Sequence, residues 1–206
     1  MMHIWGRLSS INVRKVIWAA QETGEPFERT DAGAAFGIVK TADYLRMNPH
    51  GLVPVLQDGD ATLWESNVIV RYLAARFPHC GLLPASLTLR FEAEQWMDWQ
   101  QTTFNGAGRD AFIQWIRTPA EQRNPELIAR SVAATEPLLG LLEEHLSGNE
   151  WMVGDRFSMA DIPLGCEIHR WFGLPQPRRS WPHLERWYVA LCARPASRGV
   201  LDLQLS

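Results

Sequence analysis

The stretch that most constrains the fold of this chain is residues 48–73, where chain-breaking residues alternate with short apolar runs. The Asp-Gly pair at 58–59 is a strong hairpin signal, so the apolar residues on either side predict two antiparallel strands at 53–56 and 61–64. After Glu65, apolar residues recur at helical spacing. The stretch therefore predicts a strand, a tight turn, a second strand and a helix.

Two features of this stretch favour a bound ligand. Pro54 cannot donate to a strand ladder, and a cis Val53–Pro54 bond, which occurs in only about 5% of X-Pro bonds, would turn the Val53 amide and carbonyl toward solvent. Ser66 stands at a helix start, where free N–H groups and the positive dipole end favour a carboxylate. The alternatives are a proline bulge and an ordinary helix N-cap. Together the two features predict an extended anionic peptide along a strand edge.

The block N-P-x-G-x-V-P-V-L, followed by W-E-S-N-x-I-x-x-Y-L, resembles the glutathione-binding half of the cytosolic glutathione S-transferases. The similarity extends over essentially the whole chain and is to the bacterial serine-type, theta-like members. It implies that Val53, before the cis-proline Pro54, pairs with the cysteinyl backbone of glutathione. It also implies that Glu65 and Ser66 hold the γ-glutamyl end, and that the chain forms a homodimer.

The opening of the chain has the pattern strand, helix, strand, which implies a right-handed parallel crossover. With the hairpin and the following helix this gives βαβ-ββα, the thioredoxin-like arrangement. Proline and glycine residues within 78–84 predict a linker. The pattern after this linker is almost entirely helical, and Ser158 and Asp161 have the spacing of a helix capping box. We therefore predict an α+β fold, with a thioredoxin-like glutathione-binding domain at 1–79 and an all-α helical C-terminal domain at 86–206 that forms the electrophile pocket.

Ser10 and Asn12 stand at the start of the first predicted helix, so their side chains and the nearby N–H groups point at one small volume. An ordinary N-cap is the alternative. The segment S-x-N-x-x-K-V resembles the loop of the serine-type transferases, in which a hydroxyl donates to the glutathione sulfur. The resemblance implies that Ser10 is this donor and Asn12 a second one. Ser9 is the competing hydroxyl.

The chemistry expected of Ser10 is hydrogen-bond donation. A free thiol has a pKa of about 8.5, so only a few per cent is thiolate at neutral pH. Lowering that pKa by about 2 units requires roughly 2.7 kcal/mol, which one or two hydrogen bonds and a helix N-terminus can supply. The nucleophile is the sulfur of glutathione, since no G-x-S-x-G motif or nearby His suggests a hydrolase triad.

The carboxylates of the peptide need further partners. His50, Lys40 and Asn67 are candidates for its glycyl or γ-glutamyl carboxylate. The family often has Lys where this chain has Leu52, so the glycyl contact is either missing or supplied by another residue. The segment 31–40 is rich in Gly and Ala and is expected to be a flexible loop that covers the bound peptide.

The chain has ten Trp residues, and most aromatic side chains of the second domain are expected to lie in its core. In the family, the first long helix pair of this domain forms the wall of an apolar pocket for the second substrate, and the other face of the same helix is the usual dimer surface. The predicted wall residues are Leu8 and Ile11 from the first domain and Trp99, Thr103, Phe104 and Trp115 from the second.

Composition excludes several other classes. No apolar run approaches the roughly 18 residues of a membrane span, and the N-terminus lacks a signal-peptide pattern, so we expect a cytoplasmic protein that binds no membrane. A net charge of −3 gives no reason to expect nucleic acid as a partner. The three cysteines, Cys80, Cys166 and Cys192, have no metal-ligand spacing, so neither a disulfide framework nor a metal site is expected.

The sequence thus predicts a glutathione transferase of the detoxification type, which adds the glutathione thiolate to small hydrophobic electrophiles. Glutathione is the co-substrate and no other cofactor is expected. Alternatives on the same scaffold are a glutathione-dependent peroxidase, isomerase or dehalogenase. A thiol-disulfide oxidoreductase is disfavoured because no Cys occupies the loop from Ser9 to Asn12. A non-catalytic ligand-binding or interaction module is the alternative outside enzymes.

Overall fold

The computed structural model describes residues 1–206, which form two compact units, Met1–Leu83 and Pro84–Ser206. The first unit is built on a four-stranded sheet with the strand order β2-β1-β3-β4. Its strands are β1 (Met2–Trp5), β2 (Phe27–Thr30), β3 (Val55–Asp58) and β4 (Ala61–Trp64), and its helices are α1 (Ile11–Thr23), α2 (Ala42–Met47) and α3 (Ser66–Arg76).

Helix α1 makes the crossover between the two parallel strands β1 and β2. Its apolar residues at helical spacing are buried, among them Val13, Val16, Ile17 and Ala20. The helix ends at Gly24, whose φ of 73° is the left-handed conformation that glycine adopts without a Cβ penalty. The predicted strand, helix and strand are therefore present.

The register of the sheet brings four loops to one edge. Trp5, at the end of β1, pairs with Thr30 at the end of β2 and with Val55 at the start of β3, and Val55 pairs with Trp64 at the end of β4. Since β3 runs antiparallel to its two neighbours, the loops after β1, β2 and β4 and the loop before β3 emerge side by side. The predicted βαβ-ββα order is confirmed.

The second unit is all helical, and its first helices form one unbroken run from 87 to 117. Two π-helical turns, Gln100–Phe104 and Ile113–Arg117, are included in this run. The helices are α4 (Leu87–Trp99), α5 (Asn105–Phe112), α6 (Pro125–Ser147), α7 (Asp161–Phe172) and α8 (Pro182–Cys192). Nearly every residue of α7 is buried, so this helix is the centre of the unit. None of the helices combines the length and apolar content needed to cross a membrane.

Candidate active site

A cleft opens at the edge of the sheet where the four loops meet. It brings together six of the residues predicted from the sequence, and Asn48, Leu52 and Trp64 complete its lining. The predicted residues are Asn12, His50, Val53, Pro54, Glu65 and Ser66. They come from α1, from the turn before β3 and from the start of α3, so the topology of the sheet assembles the cleft from distant parts of the sequence.

The Val53–Pro54 peptide bond is cis. Strand pairing of β3 begins at Val55, so Val53 lies outside the ladder while still lining the cleft. The backbone of Val53 is therefore placed at the point where the sheet edge meets the cleft, and its pairing with glutathione stays a prediction.

The turn before Val53 is held by two residues that sequence reasoning did not single out. The hydroxyl of Tyr44 donates to the carbonyl of Leu52 at 2.8 Å, and Nδ2 of Asn48 donates to the same oxygen at 2.9 Å. Oδ1 of Asn48 accepts from the His50 N–H at 3.0 Å. Burial raises the pKa of Tyr44 to about 12, so the phenol stays protonated and keeps donating. The turn that carries Val53 is therefore fixed from inside the unit.

Glu65 and Ser66 form the opposite side of the cleft. Glu65 has φ 70° and ψ 109°, a conformation that costs a non-glycine residue on the order of 1–3 kcal/mol and is typical of binding sites. Ser66 is the first residue of α3, and the first helical hydrogen bond runs from Ile69 N to Glu65 O at 3.0 Å. A helix leaves the N–H groups of its first turn without helical partners, so the start of α3 has the kind of group that the predicted anion site requires, and the site itself stays a prediction.

A hydrogen bond of 3.2 Å from Oγ of Ser66 to Oδ1 of Asn12 links the two sides of the site. It connects the N-terminus of α3 to the N-terminus of α1. Since Oδ1 accepts this bond, the NH₂ group remains as the donor of the Asn12 side chain, a residue that lines the cleft.

Ser10 occupies the N-cap position of α1, yet its hydroxyl makes no capping hydrogen bond. Other groups fix this loop: the backbone N–H of Ser10 donates to Arg7 O at 3.1 Å, and the side-chain Nε of Arg14 donates to Leu8 O at 2.7 Å. The first turn of α1 contains no acidic residue, so its positive dipole end is not neutralised. Ser10 is not among the residues that line the cleft, but it stands two positions before Asn12, which is.

The remaining predicted peptide-binding residues lie in different places. His50 is exposed at the cleft, with its ring 5.0 Å from that of Trp64. Lys40 is exposed, and its Nζ is 3.0 Å from the point where a Cβ on Gly51 would stand. Asn67 is buried within α3 and does not line the cleft. His50 and Lys40 are therefore placed near the turn before Val53, whereas Asn67 is not.

The predicted wall residues of the electrophile pocket stay predictions. In the first unit, Leu8 and Ile11 are half-buried in and just after the loop that carries Ser10. In the second unit Thr103 is exposed, while Phe104 is buried with its ring 5.3 Å from that of Trp99. Trp115 is half-buried, and its Nε1 donates to Gln176 at 2.9 Å.

Within the second unit, Trp99 also faces a cavity of about 490 Å³. Its ring meets that of Trp96 edge to face at 5.4 Å, and the Trp96 ring lies 4.8 Å from His145. The cavity is lined by Glu92, Gln95, Trp96, Trp99, Leu141, His145 and Met152. This face of α4 is therefore aromatic and accessible.

Comparison with known proteins gives consistent matches for both units. Residues 1–75 match the glutathione S-transferase N-terminal domain and residues 109–195 match the C-terminal domain. The chain is 41% identical over 208 residues to glutathione S-transferase GstB of Escherichia coli strain K12, with 100% of both chains covered.

One solved structure with this fold is the theta class glutathione S-transferase from the citrus canker pathogen Xanthomonas axonopodis pv. citri with glutathione bound. Its TM-score is 0.96 at 42% identity, covering 100% of this chain and 99% of that one. Elongation factor 1-gamma 3 of Oryza sativa subsp. japonica is 31% identical over 196 residues, which is 92% of this chain and 46% of that protein. Both domain matches and the full-length identity confirm the predicted fold and enzyme class, and the chain belongs to the glutathione S-transferase family.

Proposed function

We propose that this protein binds glutathione in the cleft of the first unit, holds its sulfur as a thiolate and adds it to a small hydrophobic electrophile. The observation that carries the proposal is Ser10, a residue at a helix N-cap whose hydroxyl the helix does not use. A free hydroxyl at the positive end of a helix dipole is suited to donate to an anion.

The peptide would be held at both ends of its γ-glutamyl-cysteinyl backbone. The carboxylate of Glu65 is exposed at the cleft and suits the α-ammonium group of the γ-glutamyl residue. The backbone amides at the start of α3, that of Ser66 among them, suit its α-carboxylate. Val53 would pair with the cysteinyl backbone, which directs the thiol toward the loop that carries Ser10.

In the reaction, the Ser10 hydroxyl and the Asn12 amide donate to the sulfur and keep their own protons. The two donors and the helix end would supply roughly 2.7 kcal/mol, which lowers the thiol pKa by about 2 units. The thiol proton passes to solvent, and the thiolate forms the carbon–sulfur bond while a π bond of the electrophile opens or a leaving group departs with the bonding electron pair. Because the electrophile is held near the sulfur, proximity supplies much of the remaining rate. No metal or redox cofactor is required, since the sulfur itself provides the electron pair.

The experiment that tests this function is a pH titration of thiolate absorbance with glutathione bound, followed by a turnover screen against small hydrophobic electrophiles. We expect the pKa of the bound thiol to lie below the free value of about 8.5, together with conjugate formation. A thiol pKa unchanged by binding, with no turnover, would instead favour a non-catalytic module. Turnover on peroxides or halides alone would favour the peroxidase or dehalogenase alternatives.

We further propose that the protein acts as a cytoplasmic homodimer. The second unit exposes large apolar side chains on α4 and α6, with Leu87 at 70%, Phe91 at 59% and Leu141 at 46% of their maximal exposure. Apolar side chains grouped on neighbouring helices are typical of a surface that a partner covers. A second copy of the chain is the partner that the family resemblance implies.

Replacing Phe91 with Glu is expected to shift the dimer toward the monomer, because a carboxylate would be buried without a partner in the interface. Sedimentation velocity at micromolar concentration gives the oligomeric state directly. Val189→Glu is the matched control, since Val189 is 66% exposed on α8 and its replacement should leave the dimer intact. A wild-type chain that sediments as a 23.4 kDa monomer would exclude the dimer.

A further inference from the structure

The guanidinium of Arg7 stands beside Val53. Arg7 lies in the loop between β1 and α1, three residues before Ser10. Its Nη1 is 2.7 Å from the point where a Cβ on Gly33 would stand, and the same point is 3.5 Å from Cγ1 of Val53. Gly33 has φ 81°, a conformation that favours glycine, and any other residue there would displace the guanidinium. The loop after β2 therefore makes room for the Arg7 side chain next to Val53.

Arg7 differs from Arg29, on the neighbouring strand, in having no carboxylate partner. Arg29, on β2, is paired with Asp31 and donates to the Gly6 carbonyl at 2.8 Å. Arg7 forms none of the ion pairs or side-chain hydrogen bonds of the chain, although it is half-buried. A partly buried guanidinium has lost some of its hydration, so a position without a partner favours binding of an anion from outside the chain.

The strand order determines which end of a tripeptide bound along the sheet edge lies near Arg7. Along the edge, Ser66 follows β4 on one side of Val53, whereas Arg7 and Gly33 follow β1 and β2 on the other side. Neighbouring strands are about 4.8 Å apart, and an extended peptide advances about 3.3 Å per residue. A tripeptide with its γ-glutamyl end at Ser66 and its cysteinyl residue at Val53 therefore extends its last residue toward Arg7.

We propose that Arg7 binds the glycyl carboxylate of glutathione and thereby selects the tripeptide over thiols that lack this charge. The proposal rests on the proposed function and adds a specificity residue to the same site. Leu52 cannot donate to a carboxylate from the position where the family often has Lys, and Arg7 supplies the charge from the neighbouring loop instead. Its planar fork can donate two parallel hydrogen bonds to one carboxylate.

Lys40 is the competing cation. Its ammonium also forms no ion pair, but the residue is exposed on the loop before α2. An exposed charge is more strongly screened by water and salt than a half-buried one. Arg7 is therefore expected to contribute the larger share of the selectivity for the carboxylate.

The test is calorimetric titration of wild type and Arg7→Gln with two ligands, glutathione and its glycyl monoethyl ester, in which that carboxylate is neutral. We expect Arg7→Gln to weaken glutathione binding about 10- to 100-fold and to leave the affinity for the ester unchanged. Arg7→Lys should recover part of the loss, since it keeps the charge. Arg46→Gln is the matched control, because Arg46 is an exposed arginine on α2 that pairs with Asp43.

The outcomes separate this assignment from the proposed function. Equal losses for glutathione and the ester would overturn it, as would unchanged binding of both, because neither result depends on the glycyl charge. If Arg7→Gln binds glutathione as tightly as the wild type does, the proposed transferase site is retained and only the role assigned to Arg7 is wrong. A wild type that binds neither ligand would overturn the proposed function itself. Thermal unfolding of each variant shows whether the fold is kept.

Discussion

Replacement of Ser10 with Ala is expected to lower turnover roughly 20-fold at neutral pH, because a return of the pKa of bound glutathione from about 6.5 toward about 8.5 lowers the thiolate fraction from about three quarters to about 3%. The hydroxyl is the group at the start of α1 that can donate to the sulfur without breaking any hydrogen bond of the helix cap. Its loss removes most of the roughly 2.7 kcal/mol assigned to thiolate stabilisation.

The affinity for glutathione should change little in the same variant, because the residues proposed to bind the peptide, Val53, Glu65 and Ser66, act away from the sulfur. A fall in kcat with a nearly constant KM for glutathione is the signature of a group that acts on the reacting atom. The measurement is the pH dependence of thiolate absorbance and of turnover in parallel. At pH well above the free thiol pKa, the two proteins should converge, since the free thiol ionises without help.

Ser9→Ala is the matched control for this prediction. It removes a hydroxyl one residue earlier in the same loop and should leave both the thiol pKa and turnover near wild type. If Ser9→Ala shifts the pKa and Ser10→Ala does not, the hydroxyl assignment is wrong and Ser9 is the donor. Ser10→Thr keeps the hydroxyl and should retain part of the activity.

Much of the first unit could be predicted because its signals are local. The Asp-Gly turn at 58–59, the glycine at position 24 and the helical spacing in α1 and α3 each specify one conformation of a few consecutive residues. The cis Val53–Pro54 bond is different, because a proline inside a strand pattern leaves a bulge and a cis bond both open, and only the family resemblance implied the cis form that is present. Once these elements are placed, the crossover rule leaves few ways to arrange them.

The support of the cleft could not be predicted in the same way, because it depends on contacts between distant residues. Tyr44 and Asn48 both bind the carbonyl of Leu52, and no spacing in the sequence relates a phenol on α2 to that oxygen. The space that Gly33 leaves for Arg7 is also a tertiary feature. An isolated Arg in a polar loop is usually a solvated surface charge, so the sequence offered no reason to single out Arg7.

In the second unit, the directions of side chains along the first helices could not be predicted from the sequence pattern. The residues from 87 to 117 lie in the part of the chain predicted as almost entirely helical, but the π-helical turns at 100–104 and 113–117 carry no sequence signal of their own. Each π turn adds a residue to the helical repeat and so rotates every side chain after it. The directions of the side chains of Thr103, Phe104 and Trp115 therefore cannot be deduced from ideal helical spacing.

The second large effect is expected in folding. Asp161→Ala should lower the free energy of unfolding by about 3 to 5 kcal/mol, because the carboxylate serves three buried N–H groups at once. Oδ1 accepts from Met152 N at 3.0 Å and from Trp187 Nε1 at 2.8 Å, and Oδ2 accepts from Ser158 N at 2.9 Å. Met152, Ser158 and Trp187 are each at most 2% exposed.

These bonds join three parts of the second unit to the first residue of its most buried helix, α7. Water cannot reach the N–H groups that an alanine would leave without an acceptor, so each keeps its full desolvation cost. Urea unfolding followed by tryptophan fluorescence measures the loss, and Trp187 itself reports on the site.

Asp161→Asn keeps one side-chain oxygen and should lower the free energy of unfolding by less than Asp161→Ala does. Asp155→Ala is the matched control, because its side chain is 90% exposed and pairs only with exposed Arg156, so its replacement should cost less than about 0.5 kcal/mol. Equal losses in Asp161→Ala and Asp155→Ala would show that the buried carboxylate does not hold the second unit together.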